Sequence, residues 1–495
     1  MSVSSPRTKP SSPSRWAVLA LLGVAQLMVV LDATIVNIAL PSAQRALGFS
    51  TDSRQWIITA YALAFGSLLL VGGKLGDLFG RKWTFIGGLV GFSLASALGG
   101  LAQSFAMLVA ARALQGAFGA MLAPSALGLL TVTFQGSPDR AKAFGIFGAI
   151  AGGGASFGLL LGGALTQALS WRWCLYVNLA IAVPTAITAL RLLRNETQSE
   201  RPRIDFPGVA VASAGLFALV FGFSNAETHS WSAPLTLIAL AISAVLLTGF
   251  VFLERRMPNP LLPLHIVWDR ARGGAYASIA LAGSAVFAVF LFLTYYMQQN
   301  LGFSPLTTGL GFLPMTGMIV LTATTVQTRI LGRTGAKPIV VTGMTVGVIA
   351  MLLLTRLSPG GSYAGQVLPG LLLTGFAMGC IFAPAFSTAT LGVRSTEAGI
   401  ASAMVNTSQQ VGGSVGTALL STIFASAASS YASSHIHASG LSTAAAINGY
   451  TTAFVWAAAV FAVGLLVALL VLPSDGAAQA QVVHERGHAE LALDS

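Results

Sequence analysis

Long stretches without a charged residue alternate with short polar segments along the chain. Asp, Glu, Lys and Arg are absent from residues 55–73, 83–111, 113–138, 143–171, 273–328, 357–393 and 398–474. A membrane-crossing α-helix needs about 20 mainly apolar residues. When the longest stretches are divided at Gly, Pro and polar clusters, the pattern predicts fourteen such spans.

The fourteen predicted spans, numbered in chain order, are too long for barrel strands and alternate too little, so we expect an all-α integral membrane protein. They lie near residues 16–41, 54–75, 83–103, 106–134, 141–168, 172–193, 207–225, 234–254, 275–299, 307–329, 338–356, 364–391, 397–427 and 450–472.

The composition excludes most soluble functions. Charged residues make up 8% of the 495 residues and apolar types 55%, whereas a soluble chain carries roughly 25% charged residues. With the N-terminus inside, 21 of the 26 Lys and Arg fall in cytoplasmic segments, four fall in outer loops, and Arg112 falls within a span. Lys and Arg concentrate on the cytoplasmic side of membrane proteins. We therefore expect both termini in the cytoplasm of a plasma-membrane protein, and the net charge of +11 implies no nucleic-acid partner.

Signals for catalysis or a cofactor are weak. The chain has no GxxxxGK[ST] phosphate-binding loop, so an ATP-driven pump is not expected. The tail segment His484–His488 matches HExxH literally, but Gly487 weakens the helix that a zinc site requires, and we interpret the match as chance. We expect no metal, no cofactor and no enzymatic activity.

One acid and one base lie deep within predicted spans. Asp32 in span 1 and Arg112 in span 4 are both placed in the outer half of the bilayer. Ionisable residues inside a membrane are costly and usually functional. Two interpretations stay open: the pair is a fixed structural bridge, or Asp32 binds a proton whose presence selects the side to which the protein opens.

Other polar and aromatic residues within the spans are candidates for a substrate cavity. Amides can accept and donate hydrogen bonds there, and aromatic rings can stack on a flat or cationic ligand. Each residue could equally join helices by hydrogen bonds. The candidates are Gln26, Asn37, Tyr61, Gln115, Asn178, Tyr295, Tyr296, Gln298, Asn406 and Gln409.

The loop after span 2 carries the most specific motif. It reads GKLGDLFGRK and contains Gly73, Asp77, Gly80, Arg81 and Lys82. This resembles the GxLxDxxGRK signature of the major facilitator superfamily. The resemblance implies alternating-access transport, with this loop as a gate in which Asp77 caps a helix end and pairs with an Arg.

A weaker echo of that loop lies between spans 10 and 11, where Gly335 and Lys337 stand 255 residues after Gly80 and Lys82. The echo predicts an internal repeat of two six-helix bundles, spans 1–6 and 9–14, with spans 7 and 8 inserted between them. The expected division is a disordered cytoplasmic tail (1–14), an N-terminal bundle (15–194), a linker (195–206), the inserted helices (207–254), a second linker (255–274), a C-terminal bundle (275–472) and a cytoplasmic tail (473–495).

Span 1 reads LDATIVNIALP from Leu31 to Pro41. This resembles the LDxTxVNxALP signature of the fourteen-helix drug–proton antiporters. The resemblance implies a secondary transporter that exports amphiphilic drugs, antibiotics or toxic cations in exchange for protons, and we expect it to be a monomer. Its partners would be the substrate, protons and the lipid bilayer.

Span 5 carries the antiporter glycines but departs from the family pattern. Gly154, Gly158 and Gly162 form one helix face, beside Gly163, and that face permits close helix approach. Leu159 stands where the antiporter signature has Pro. This departure keeps an uptake symporter or facilitator open as an alternative, and a non-transporting receptor is a third possibility.

Overall fold

The computed structural model describes residues 14–49, 53, 55–194, 205–258, 260–435 and 440–474. The HExxH match and most of the predicted tails and first linker lie outside these ranges, as does the side chain of Asn37. All regular structure in the described residues is helical. Fourteen of the helices are long and apolar enough to cross a membrane, which confirms the predicted number.

We number these fourteen helices in chain order. They are α1 (Arg15–Leu47), α2 (Gln55–Phe79), α3 (Arg81–Gly100), α4 (Phe105–Thr133), α5 (Arg140–Ala168), α6 (Trp173–Leu192), α7 (Phe206–Thr228), α8 (Pro234–Glu254), α9 (Arg270–Tyr295), α10 (Pro305–Thr325), α11 (Ala336–Leu354), α12 (Leu368–Ala389), α13 (Ala398–Ser434) and α14 (Leu441–Val471).

Shorter helical pieces extend or join some of these. π-helical turns follow α9 and α10 and precede α12, at Tyr296–Asn300, Val326–Ile330 and Tyr363–Val367. The predicted second linker contains a short helix, Leu264–Trp268, and α9 begins at Arg270 rather than at residue 275.

Several helices are longer than the spans that predicted them. α1 continues through Pro41 to Leu47, so Arg45 lies in its last turn and not in a loop. α13 reaches Ser434, and α14 begins nine residues before the predicted start at 450. An apolar run marks only the part of a helix suited to the hydrocarbon layer. The backbone hydrogen bonds continue into the polar flanks, which explains the difference.

The helix contacts repeat between the two halves. In the N-terminal half, α1 packs against α4, α5 and α6, and α4 also packs against α2 and α3. In the C-terminal half, α9 packs against α12, α13 and α14, and α12 also packs against α10 and α11. The halves meet where α5 contacts α10 and α12, and where α13 contacts α2 and α4. The inserted α7 and α8 pair with each other, and α7 also packs on α2 and α13.

The loop echo has a structural counterpart. Gly80 precedes α3 with φ of 90°, and Gly335 precedes α11 with φ of 75°. A side chain at either position would be strained in this left-handed region. The same turn therefore enters the third helix of each six-helix bundle.

Candidate functional site

Asp32 lies at the centre of a fully buried polar cluster between four helices. Arg112 Nη1 of α4 donates to Asp32 Oδ2 at 2.7 Å. Gln115 Nε2 of α4 and Asn178 Nδ2 of α6 both donate to Asp32 Oδ1, each at 2.7 Å. Asp32, Gln115 and Asn178 have no exposed surface, and Arg112 is 2% exposed. The structure thus joins the acid and base expected from sequence, and it adds two amides that sequence placed only among cavity candidates.

Arg112 has partners besides the carboxylate. Its Nη1 also donates to Gln115 Oε1 at 2.6 Å, and its guanidinium lies over the ring of Tyr61 of α2, 4.3 Å from the ring centre. Gly116 permits that stacking, because a Cβ there would collide with the Tyr61 carbonyl. Cation–π contact with a desolvated Arg is favourable. Arg112 would therefore keep two attractive contacts if Asp32 were neutralised.

Second contacts orient the amide of Asn178. Its Nδ2 also donates to Ser96 Oγ of α3 at 2.9 Å, and Ser96 in turn donates to the Leu175 carbonyl at 2.8 Å. Ser96 is fully buried. Sequence reasoning missed this serine, because α3 is rich in small residues and nothing in the pattern distinguishes one of them.

Apolar side chains close the cluster on the side of the α1 C-terminus. Val36, Leu40, Leu108 and Trp171 are all buried and belong to one hydrophobic cluster there. Asp32 is thus shielded from water in this conformation. Access of water to Asp32 requires the helices around it to move.

The predicted glycine face of α5 packs on α1, the helix that carries Asp32. A Cβ at Gly154 would contact Val30, one at Gly158 would collide with Thr34 Oγ1, and one at Gly162 would press on Ile35. Gly163 is also buried. The close approach joins α5 to α1 within one turn of Asp32.

A second glycine face of α5, which sequence analysis did not single out, meets the other bundle. A Cβ at Gly145 would contact Gln327 and Ala323, one at Gly148 would contact Ala383, and one at Gly153 would contact Thr316. α5 therefore lies tightly between α1 on one side and α10 and α12 on the other. Movement between the bundles would therefore act directly on α5, which packs against α1, the helix that carries Asp32.

The sequence placed Asp77 in a loop, but α2 continues to Phe79, so Asp77 lies in its last turn. There it joins the two bundles. It pairs with Arg81 at 2.9 Å, and its two carboxylate oxygens accept from the backbone N–H groups of Gly399 at 3.1 Å and Ile400 at 3.3 Å. Arg81 also donates to the Ser395 carbonyl. These groups lie in the first turn of α13 and just before it, where the helix dipole attracts a negative charge. The helix end that Asp77 caps thus belongs to the C-terminal bundle.

The other residues of the motif have separate roles, and only Gly73 packs at the same contact. Gly73 lies so close to the Gly399 backbone that a Cβ would collide with it. Gly80 provides the turn, and Lys82 Nζ donates to the Leu190 carbonyl of α6 at 3.0 Å.

Arg140 makes a second polar contact between the bundles at the same end. It begins α5 and donates to Thr390 Oγ1 at 2.9 Å and to the Ser387 carbonyl at 3.4 Å, both at the end of α12. A cation is attracted to the carbonyl end of a helix. An acid at the start of α13 and a base at the end of α12 therefore hold this end of the interface closed. The sequence contains one weak indication of this contact. Arg140 is unfavourable in the first turn of its own helix, which suggests that another group stabilises it.

The remaining cavity candidates are dispersed. Gln26 is buried in α1, and Asn406 is buried with its Nδ2 donating to Ser402 of its own helix. Tyr295 is 39% exposed, whereas Tyr296 is fully buried and its hydroxyl donates to the Ser358 carbonyl at 2.9 Å.

Two further candidates, Gln298 and Gln409, are partly buried. Of the ten candidates, Gln115 and Asn178 contact Asp32, and Tyr61 joins the same cluster through Arg112. No group of three or more His, Cys, Asp or Glu suited to a metal ion occurs within the described ranges.

Comparison with known proteins gives consistent results. The model of the Major Facilitator Superfamily matches residues 22–417. The puromycin resistance protein of Streptomyces alboniger is 45% identical over 463 residues, which cover 93% of this chain and 91% of that protein. The cephamycin export protein CmcT of Amycolatopsis lactamdurans is 36% identical over 471 residues, 94% of each chain. The crystal structure of the human organic anion transporter MFSD10 covers 92% of this chain and 100% of its own, with a TM-score of 0.63 at 17% identity, which shows the shared fold.

Proposed function

Because the chain belongs to the major facilitator superfamily, we propose that it exports amphiphilic small molecules of the antibiotic kind across the plasma membrane in exchange for protons. The names of its relatives support export and the substrate class. The buried Asp32 cluster carries the proposal for protons, since a carboxylate there meets a guanidinium deep within the described helices.

Protonation of Asp32 would remove the charge attraction that holds Arg112 in the cluster. The neutral acid would no longer hold Arg112 by charge, but the guanidinium would retain Gln115 and the face of Tyr61. An uncompensated buried cation is otherwise very costly. Because Arg112 has these alternative partners, Asp32 can be protonated and release Arg112 without loss of the fold.

Movement of the bundles would connect this cluster to the two sides of the membrane. In the present conformation the bundles are joined by the bonds of Asp77 to Gly399 and Ile400 and of Arg140 to Thr390, which we call the Asp77 latch. Apolar side chains seal Asp32 from water. Rearrangement around α5 and α13 would open one side at a time, as alternating access requires. The charge distribution along the chain supports placing the latched end and both termini in the cytoplasm. We propose that one chain suffices, because each bundle supplies its half of the interface.

Transport by purified protein in liposomes tests the proposal, with puromycin and a cephamycin as probes. An antiporter accumulates the probe when the lumen is acidic, because protons then leave the lumen as the drug enters. A symporter accumulates it when the outside is acidic, and a receptor accumulates it under neither gradient. Accumulation driven only by an acidic exterior would refute export.

Variants at the cluster test the coupling. Asp32→Asn is expected to abolish gradient-driven accumulation and to leave measurable probe binding to the purified protein. Asp139→Asn, which removes an exposed acid at the start of α5, is the matched control and should transport normally. If Asp32→Asn accumulated the probe as well as the parent under an acidic lumen, Asp32 would not carry the coupling proton.

A further inference from the structure

Two buried acids meet at the end of the inserted helix pair. Asp205 caps the start of α7, and Glu254 is the last residue of α8. Their exposed fractions are 7% and 4%. Carboxylates this well buried are normally paired with a cation or satisfied by hydrogen-bond donors. Neither acid takes part in the Asp32 cluster or in the Asp77 latch.

Each carboxyl group has one oxygen satisfied by the backbone. Asp205 Oδ1 accepts from the Gly208 N–H at 2.9 Å, and Glu254 Oε2 accepts from the Leu262 N–H at 3.0 Å. These bonds fix the rotation of both groups. The other oxygens, Asp205 Oδ2 and Glu254 Oε1, have no hydrogen-bond donor in the described part of the chain.

The two unsatisfied oxygens face the same point. Both lie within 2.7 Å of the place that a Cβ on Gly208 would occupy. Two ionised carboxylates in such proximity repel each other strongly, and burial increases the penalty. A single proton between them removes the repulsion and supplies the missing donor, since the protonated oxygen then donates to the facing one.

The charges around the pair fit one shared proton. Lys74 of α2 lies at the same loop, because its Nζ donates to the Pro260 carbonyl at 3.3 Å and the Leu262 N–H of that loop bonds Glu254. Arg255 and Arg256 follow Glu254 but point to the exposed surface. With one proton shared, the pair carries a single negative charge, and Lys74 is a cation held at the same loop.

Within the described ranges, the other neighbouring elements contribute no free charge to the pair. α13 packs on α7, but Glu397 at its start is engaged with His265 at 3.3 Å. α7 and α8 themselves contain no Lys, Arg or His, and His229 lies in the loop that joins their other ends.

We propose that Asp205 and Glu254 share one proton and form a second proton-binding site, separate from Asp32, at the end of the inserted helices. The site joins the start of α7 to the end of α8. α7 also packs on α2 and α13, the two helices that the Asp77 latch connects. Loss of the proton would separate the start of α7 from the end of α8. The packing of α7 on α2 and α13, which supports the latch, would then weaken. This inference does not depend on which molecule the protein transports.

Infrared difference spectroscopy of the purified full-length protein in lipid nanodiscs tests the site directly. On raising the pH from neutral to strongly alkaline, the parent should lose a protonated carboxylic acid band and release the corresponding proton. Glu254→Gln and Asp205→Asn should both lack that band and release one proton fewer. Asp139→Asn and Asp32→Asn should retain it, because the first removes an exposed acid and the second removes the other buried site.

The substitutions preserve a donor where the proton lay. The amide of Glu254→Gln can donate to Asp205 Oδ2, so the variant is expected to fold. A parent protein with no protonated carboxyl band at neutral pH would overturn the inference without any variant. A band that persists in Glu254→Gln and Asp205→Asn but disappears in Asp32→Asn would assign the proton to Asp32 alone, again overturning it.

Discussion

Replacing Asp77 with Asn should weaken the latch between the bundles while leaving the protein folded. The amide keeps one acceptor oxygen for the Gly399 or Ile400 N–H, so the main loss is the negative charge at the α13 N-terminus and opposite Arg81. Asp77 is only 3% exposed. A charge at a partly buried helix end contributes up to about 2 kcal/mol.

The size of the effect follows from that energy. A loss of about 2 kcal/mol changes the ratio of latched to opened conformers by roughly 30-fold. If about 1% of the parent molecules are open at this end, about a quarter of the Asp77→Asn molecules should be open. In the proposed cycle the conformer latched at this end is a required step, so transport should slow.

Pulsed electron paramagnetic resonance can measure this shift. Spin labels at Gln135, in the loop before α5, and Arg394, in the loop before α13, report the separation of the bundles at the latched end, and both positions are exposed. Asp77→Asn should add a population at longer distance. Asp139→Asn removes a nearby but exposed acid and should leave the distribution unchanged. An unchanged distribution in well-folded Asp77→Asn, or an equal change in the control, would refute the latch.

Two further outcomes test the packing of α5 and the topology. Leu159→Pro should accumulate in the membrane near the parent level, because Thr34 Oγ1 lies 3.2 Å from the Ala155 carbonyl and can donate to it when the N–H of residue 159 is lost. Thr34→Val should be harmless alone but should reduce the accumulation of Leu159→Pro when the two are combined. Poor accumulation of Leu159→Pro by itself would contradict this reasoning. In a background free of native cysteines, a cysteine replacing His435 should react with an impermeant maleimide in whole cells and one replacing Ser199 should not; the opposite pattern would invert the membrane orientation.

Much of the site was accessible from sequence because a bilayer leaves few choices. A chain in hydrocarbon must satisfy its backbone internally, so each long apolar run becomes a helix. Within those runs a charge is so unfavourable that a single acid and a single base at matching depth predict each other. Asp32 and Arg112 indeed meet at 2.7 Å. Position along a span also indicated that Gln115 and Asn178 lie in the membrane.

The sequence did not predict how each helix is rotated about its axis or which other helices it packs against. Asp77 was expected to cap a helix end, yet nothing in its own motif indicates that the capped helix is α13, more than 300 residues away. Asp205 and Glu254 occupy ordinary helix ends in the sequence, and only the pairing of α7 with α8 turns them into a buried pair.

The sequence by itself therefore determined the number of helices, their apolar extents and the depth of the rare charges, since burial in lipid acts on each segment separately. Tertiary structure decided which charges meet, because contact depends on how glycine faces such as that of Gly158 let two particular helices approach. That choice is made by packing between segments distant in the chain, where depth along one helix carries no information about its neighbour.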